Sequence, residues 1–279
     1  MGASGLTNAI LKRFDLSGKA AAVTGGGGDL CGHMAEALGA MGVKVAVLDI
    51  SLEKAEVRAQ SVSRAGGAAE AYRCDILDVV QIRGCYDAVC RQWGPPDFLI
   101  NGAGGNDPRG STSEEFHEPE KPLDPAGFRQ VFDLNFLGTF LVTQTFSKGM
   151  VTKGKGAIVN ISSMSAFTPL TKVAAYSAAK ASVSNFTRWL AVHFSRTGVR
   201  VNALAPGFFM TEQLKFLHID RKTGDLLPRA HKVIAHTPMG RYGEPDDLIG
   251  TLVWLLSDAS SFVTGVVVPI DGGFSSYSI

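Results

Sequence analysis

Seven short β-rich runs alternate with longer segments whose apolar residues recur at helical spacing, and this alternation leaves few folds open. The runs cover residues 19–23, 43–48, 68–74, 98–101, 157–161, 200–204 and 266–270. Strand, helix and strand in repeated succession predict a parallel sheet wrapped by helices. Runs such as VKVAVLDI and AIVNIS are apolar on both faces, as strands covered on each side must be. The crossovers should be right-handed. The expected fold class is therefore α/β, a single doubly wound domain on a seven-stranded parallel sheet. No repeat or low-complexity linker interrupts residues 15–279, which should form that one domain after an N-terminal extension of residues 1–14. Two polar segments containing Pro and Gly, 106–125 and 211–240, follow strand ends, where such sheets bind ligands.

Charge excludes several functions. Lys and Arg number 27 against 26 Asp and Glu, and no basic block could neutralise a run of phosphates, so no nucleic-acid partner is expected. No segment approaches about 18 uncharged apolar residues, which predicts a soluble, cytoplasmic protein without a membrane partner. Cys31, Cys74, Cys85 and Cys90 fit neither zinc nor redox spacing and are read as free, buried thiols. His218 and His231 lack partners at metal-ligand spacing and are read as surface residues; no metal is expected.

The stretch AAVTGGGGDLCGHMAEAL, residues 21–38, reads as strand, glycine turn and helix. Backbone N–H groups at such a helix start bind anions. Four glycines could equally make a flexible turn, but Asp49 ends the next run 24 residues after Gly25, where a carboxylate meets the adenosine ribose hydroxyls. An acidic residue there repels a 2′-phosphate. With no Arg or Lys in 24–33 or immediately after Asp49, the cofactor expected is NAD rather than NADP.

A second constellation lies in IVNISSMSAFTPLTKVAAYSAAKASVSNF, residues 158–186. Tyr176 and Lys180, four apart, share one helix face. A lysine ammonium beside a phenol should lower the phenol pKa and fit Tyr176 for acid–base work. Ser163, at the preceding strand end, could hydrogen-bond a reacting oxygen.

With these motifs in order, the chain from about Phe14 to Phe274 resembles the short-chain dehydrogenase/reductase family, which implies a Rossmann-type domain. The resemblance carries the catalytic roles onto Asn135 in FDLNFLG, Ser163, Tyr176 and Lys180. It carries cofactor contacts onto Gly25, Gly27, Gly28, Asp29, Leu30, Asp49, Asp75, Ile76, Asn101, Ala103, Gly104, Tyr176, Lys180, Pro206, Gly207, Phe209 and Thr211. Two positions depart from the family's glycine pattern: its second glycine is Asp29 and its third is Cys31. Asp29 is expected to cap the helix or to hydrogen-bond the nearby loop, leaving glycine backbone for the phosphates.

The resemblance further implies hydride transfer between a secondary alcohol and nicotinamide. Tyr176 would carry the proton and Ser163 would steady the oxygen. Lys180 would hold the ribose, and Asn135 would position a water linking Lys180 to solvent. It also implies a homotetramer. Within the family, GAGGN, FDLNFLGTF, SSMSAF, PGFFMTEQ and HTPMGRYGEPDDLIG are most similar to the mannonate oxidoreductase (fructuronate reductase) subgroup. A sugar-acid substrate needs a cation and several polar side chains; the candidates are Asn106, Arg109, Ser165, Lys172, Arg229 and His236. Arg241 is read as structural. Another polyol or a 3-ketoacyl compound is the alternative substrate, and a dinucleotide sensor without turnover is the alternative of a different class.

Overall fold

The computed structural model describes residues 3–112, 117 and 123–278. Its strands are β1 Ala20–Thr24, β2 Lys44–Asp49, β3 Ala68–Arg73, β4 Phe98–Asn101, β5 Gly156–Ile161, β6 Val199–Pro206 and β7 Val267–Ile270. They form one seven-stranded sheet in the order β3-β2-β1-β4-β5-β6-β7, every pair parallel. Each run read from the sequence falls on a strand, with ends displaced by at most two residues.

The helices are α1 Ala3–Lys12, α2 Asp29–Ala40, α3 Leu52–Arg64, α4 Val79–Trp93, α5 Pro125–Phe132, α6 Gly138–Lys153, α7 Ala174–His193, α8 Glu212–His218, α9 Pro228–His236 and α10 Ile249–Leu256. Side chains alternate across each strand, so the sheet divides the core in two. Ala21, Val23, Val45 and Val47 pack with Met34 and Leu38 of α2 and Leu252 of α10. Ala22, Ala46, Leu48 and Leu99 pack on the other face with Ile82 of α4, Phe146 of α6 and Phe186 of α7. Burial on both faces accounts for the lack of polar alternation in these strands.

Between β1 and β4 the chain reverses its direction of progress across the sheet. Ligands bind outside the carboxyl ends of strands at such a switch point. The glycine loop leaves β1 there, and Gly102 to Gly104 leave β4 beside it. The segment 211–240, read as a polar loop, holds two helices. Thr211 caps α8 by accepting the Leu214 N–H at 3.2 Å. Pro228 opens α9, where its missing N–H costs nothing. Residues 113–116 and 118–122 of the other loop lie outside the described residues. No described helix is long and apolar enough to cross a membrane.

Candidate active site

The glycine loop is built by close approach. Gly25 has φ +65°, and a Cβ there would lie 2.8 Å from the Ala103 Cα. Thr24 fixes that approach: its Oγ1 accepts the N–H groups of Gly102 at 3.1 Å and Ala103 at 3.2 Å. Gly27 donates to Asp49 Oδ2 at 3.0 Å, while Asp49 Oδ1 accepts the Ser51 N–H at 3.0 Å, so both carboxylate oxygens are held. Gly28 precedes α2 with no side chain capping it, which leaves the first-turn N–H groups to an anion.

Asp29 does not cap its own helix. Its Oδ2 accepts the Glu212 N–H at the start of α8, at 2.8 Å, turning the carboxylate away from the glycine backbone and tying the loop to the 211–218 segment. Of the two expected arrangements, the structure takes the one across to a neighbouring loop. Asp29→Ala should therefore loosen α8; an exposed hydrogen bond of this kind contributes roughly 1 kcal/mol. Amide hydrogen exchange across 211–218 is expected to accelerate, and unchanged exchange there would mean the bond holds nothing.

A cleft of about 950 Å³ opens over this floor. Gly25, Gly27, Gly28, Asp29, Leu30, Asp49, Asp75, Ile76, Ala103, Gly104 and Thr211 all line it. Asn101 does not. It is buried in β4, and its Nδ2 donates to Thr143 Oγ1 at 2.9 Å and Asn160 Oδ1 at 2.8 Å, stitching β4 to α6 and β5. Phe209 is also turned inward, its ring against Gly243. Pro206 ends β6, and Gly207 donates to Ile270 O at 2.9 Å and leaves room for Asp271.

The cleft also holds cations that the sequence reading missed, Lys54 and Arg58 of α3. The expectation that no basic residue stands near Asp49 is thus corrected. The residues searched were those adjacent in sequence, whereas α3 brings in charges five and nine positions later. Their four-residue spacing on a predicted helix was the available signal.

Gly104 joins this cleft to the expected catalytic group. A Cβ on it would lie 2.6 Å from Asn135 Oδ1 and 3.3 Å from Lys180 Nζ. Asn135 is fully buried in a π-helical turn, Asp133–Leu137, between α5 and α6. Such turns are uncommon and concentrate at functional sites. The Asn135 side chain is committed to backbone: Nδ2 donates to Gly105 O at 2.7 Å and Val131 O at 2.8 Å, and Oδ1 accepts the Gly105 N–H at 3.2 Å.

Ser163 follows β5 and shares a hydrogen bond with the Tyr176 hydroxyl. Lys180, one turn along α7, is buried and donates to Ile161 O at 2.8 Å, its Nζ 5.6 Å from the centre of the Tyr176 ring. Burial raises the Tyr176 pKa, and the Ser163 hydrogen bond opposes that rise. Burial also brings Lys180 down to about 8. The expectation that Lys180 lowers the phenol pKa is corrected for the protein alone: desolvation acts on both groups, and the ammonium is directed to a carbonyl.

The substrate candidates are scattered. Arg109 is held by Asp107, at 2.9 Å, and by Gln130. Asn106 donates to Ser111 Oγ at 3.1 Å. Ser165 is buried beside Ser163, with its Oγ unpartnered. Lys172 is the one described non-glycine residue with positive φ, +69°, and its carbonyl accepts the Thr112 N–H at 2.7 Å. Arg229 lies on α9, close enough to His218 and Tyr242 to act on both. His236 packs on Phe274 and Tyr277. His218, read as a surface residue, is instead fully buried, its Nδ1 2.7 Å from the Tyr242 hydroxyl. The available signal was its apolar sequence neighbours, Leu217 and Ile219; in the fold its ring lies against Phe208 and Tyr242. Arg241 pairs with Asp247 at 2.7 Å and 2.9 Å, a structural role. The four cysteines are free, Cys90 being only partly buried. No described cluster of His, Cys, Asp or Glu could hold a metal ion.

Comparison with known proteins agrees with this architecture. The short-chain dehydrogenase model adh_short_C2, described as enoyl-(acyl carrier protein) reductase, matches residues 30–275. An uncharacterized oxidoreductase, UxuB, of Bacillus subtilis (strain 168) is 48% identical over 271 residues, covering 95% of this chain and 97% of its own. D-threitol dehydrogenase of Mycolicibacterium smegmatis is 33% identical over 94% of this chain and 95% of its own. A Haemophilus influenzae protein provisionally assigned as a D-mannonate oxidoreductase, crystallised with bound NAD, superposes with a TM-score of 0.89 at 45% identity, over 97% of this chain and 99% of that one. A strand order that puts two glycine segments at one switch point, and likeness along almost the whole length, have the same explanation: the chain belongs to the short-chain dehydrogenase/reductase family and is an oxidoreductase acting on alcohol and ketone groups.

Proposed function

We propose that the protein interconverts a secondary alcohol and a ketone on a sugar acid such as mannonate or fructuronate, with NAD(H). The observation that carries this reading is the meeting of Asn135 and Lys180 at Gly104, on the edge of the glycine-floored cleft, with the Tyr176 ring next to Lys180 and its hydroxyl bonded to Ser163. The cleft fits a dinucleotide: a side chain on Gly25 or Gly27 would fill its floor, and the start of α2 offers uncapped N–H groups to the diphosphate. The bound dinucleotide supplies the hydride donor or acceptor. Tyr176 gives or takes the proton at the substrate oxygen, and Ser163 holds that oxygen through its Oγ. Lys180, with its pKa near 8, remains largely protonated at neutral pH and supplies positive charge beside the phenol. Asn135 fixes the backbone at Gly105 and so the wall beside Lys180.

NAD, rather than NADP, is supported by Asp49 and by the NAD held in the Haemophilus influenzae structure. The sugar acid is supported by that protein's provisional assignment and by the motifs it shares. A homotetramer and a cytoplasmic location complete the reading by family likeness. The relation to D-threitol dehydrogenase favours a polyol as the second reading. Steady-state rates with NADH and NADPH, run in parallel on ketoacids and uncharged ketoses, test the substrate. Faster reduction of uncharged ketoses would select the polyol, and NADH binding without turnover on any compound would select the sensor.

Lys172 and Arg229 are the cations proposed to meet the substrate carboxylate, on segments that follow strand ends, where such sheets bind ligands. Lys172→Asn keeps a residue that tolerates positive φ while removing the charge. Either Lys172→Asn or Arg229→Gln is expected to raise KM for a ketoacid at least tenfold and leave that for NADH unchanged, the loss of one charge-assisted contact. Unaltered ketoacid KM in both would end the clamp idea.

A further inference from the structure

Cations line the dinucleotide cleft, so its selectivity cannot rest on their absence. On α3, Lys54 and Arg58 face the cleft together with Asp49. Lys54 and Asp49 converge on Gly27: a Cβ there would lie 2.7 Å from Lys54 Cβ and 3.0 Å from Asp49 Oδ2. One turn further along α3, Arg58 crosses the start of α2. A Cβ on Gly32 would meet Arg58 Nε and lie 2.8 Å from its Cδ, so in this rotamer the arginine lies over a helical position that is glycine. Glycine is a weaker helix former than alanine, and here its lack of a side chain makes room for the guanidinium.

The guanidinium does not hang free in the cleft. Arg58 Nη1 donates to Glu36 Oε1 at 2.9 Å, with both side chains about three-quarters buried. The Ser61 hydroxyl also hydrogen-bonds Glu36. Glu36 in turn lies 3.7 Å from His33 Nδ1, whose Nε2 meets Asp246 at 2.6 Å, so the pair is anchored on α2 and on the turn before α10. Asp49 has both oxygens held by backbone N–H groups, and Arg58 pairs with Glu36 instead.

We infer that Glu36 is a second determinant of dinucleotide choice: by holding Arg58, it withholds from an adenosine 2′-phosphate the one described arginine that lines the cleft. Asp49 repels that phosphate and Glu36 keeps its natural partner occupied. The inference rests on the NAD reading above. It explains how a cleft with an arginine in its wall can still prefer a dinucleotide without the extra phosphate. Arginine and phosphate form strong paired hydrogen bonds when the guanidinium is available.

The test is equilibrium titration with NADPH and NADH, followed by nicotinamide fluorescence, on Asp49→Ser, Glu36→Gln, the double variant, and the double variant with Arg58→Gln. Glu36→Gln keeps the side chain's size and its contact with Ser61. The double variant is expected to bind NADPH about tenfold or more tightly than Asp49→Ser, as one released charge-assisted contact allows, and Arg58→Gln should abolish that gain. Equal NADPH affinity in Asp49→Ser and the double variant would overturn the inference. So would a gain that survives Arg58→Gln, since it would come only from removing a negative charge. Should the double variant fail to fold, Glu36→Gln alone carries the test: NADPH affinity should rise and NADH affinity should not, and no rise overturns the proposal. An unaltered protein that binds no NADH would sink the underlying NAD reading instead.

Discussion

Tyr176→Phe is expected to slow turnover by about 10²–10⁴-fold, the usual loss when a general acid or base is removed, while NADH binds as it does to the unaltered protein. The ring stays and only the hydroxyl goes. That hydroxyl bonds Ser163 and stands beside the buried Lys180, so its removal takes away the proton carrier without opening the core. Single-turnover absorbance at saturating NADH separates the two effects. Turnover near that of the unaltered protein would place the acid elsewhere, and lost NADH binding would make the tyrosine a cofactor contact first.

Gly25→Ala should have the next largest effect, on binding rather than on chemistry. A side chain at φ +65° is strained by roughly 1–2 kcal/mol. The new methyl would also meet Ala103 backbone at 2.8 Å and 2.9 Å. Ala103 cannot simply withdraw, since Thr24 Oγ1 holds its N–H and that of Gly102. The loop must therefore shift as a unit, taking with it Gly27 and the hydrogen bond that orients Asp49. NADH affinity by calorimetry is expected to fall by about two orders of magnitude, with a lower melting temperature. A variant that binds normally would show that the junction between the two glycine segments does not shape the cleft.

Much of this was legible in the chain because the relevant physics is local or periodic. Runs apolar on both faces and bounded by turns read as strands covered on each side, as β1, β2 and β4 are. A tyrosine and a lysine four apart must share a helix face, and a carboxylate at the end of the second strand must stand beside the loop that leaves the first. These follow from backbone geometry at short range, and they located the strands, the glycine loop and the Tyr176–Lys180 pair, whereas Asn135 came from the family resemblance alone.

Tertiary packing decided the rest. Asp29 could have capped its own helix, but a backbone N–H 183 residues away took its carboxylate. Asn101 could have faced the cofactor, but buried Thr143 and Asn160 offered its amide partners that the cleft did not. His218 lies inside because its ring packs against Phe208 and Tyr242 and its Nδ1 meets the Tyr242 hydroxyl, partners that its own segment of sequence does not reveal. Arg58 entered the cleft wall through helix packing and paired with Glu36 of α2. A spacing rule gives the face a side chain starts from; hydrogen-bond partners and desolvation, set by elements distant in sequence, determine where its polar end finally goes.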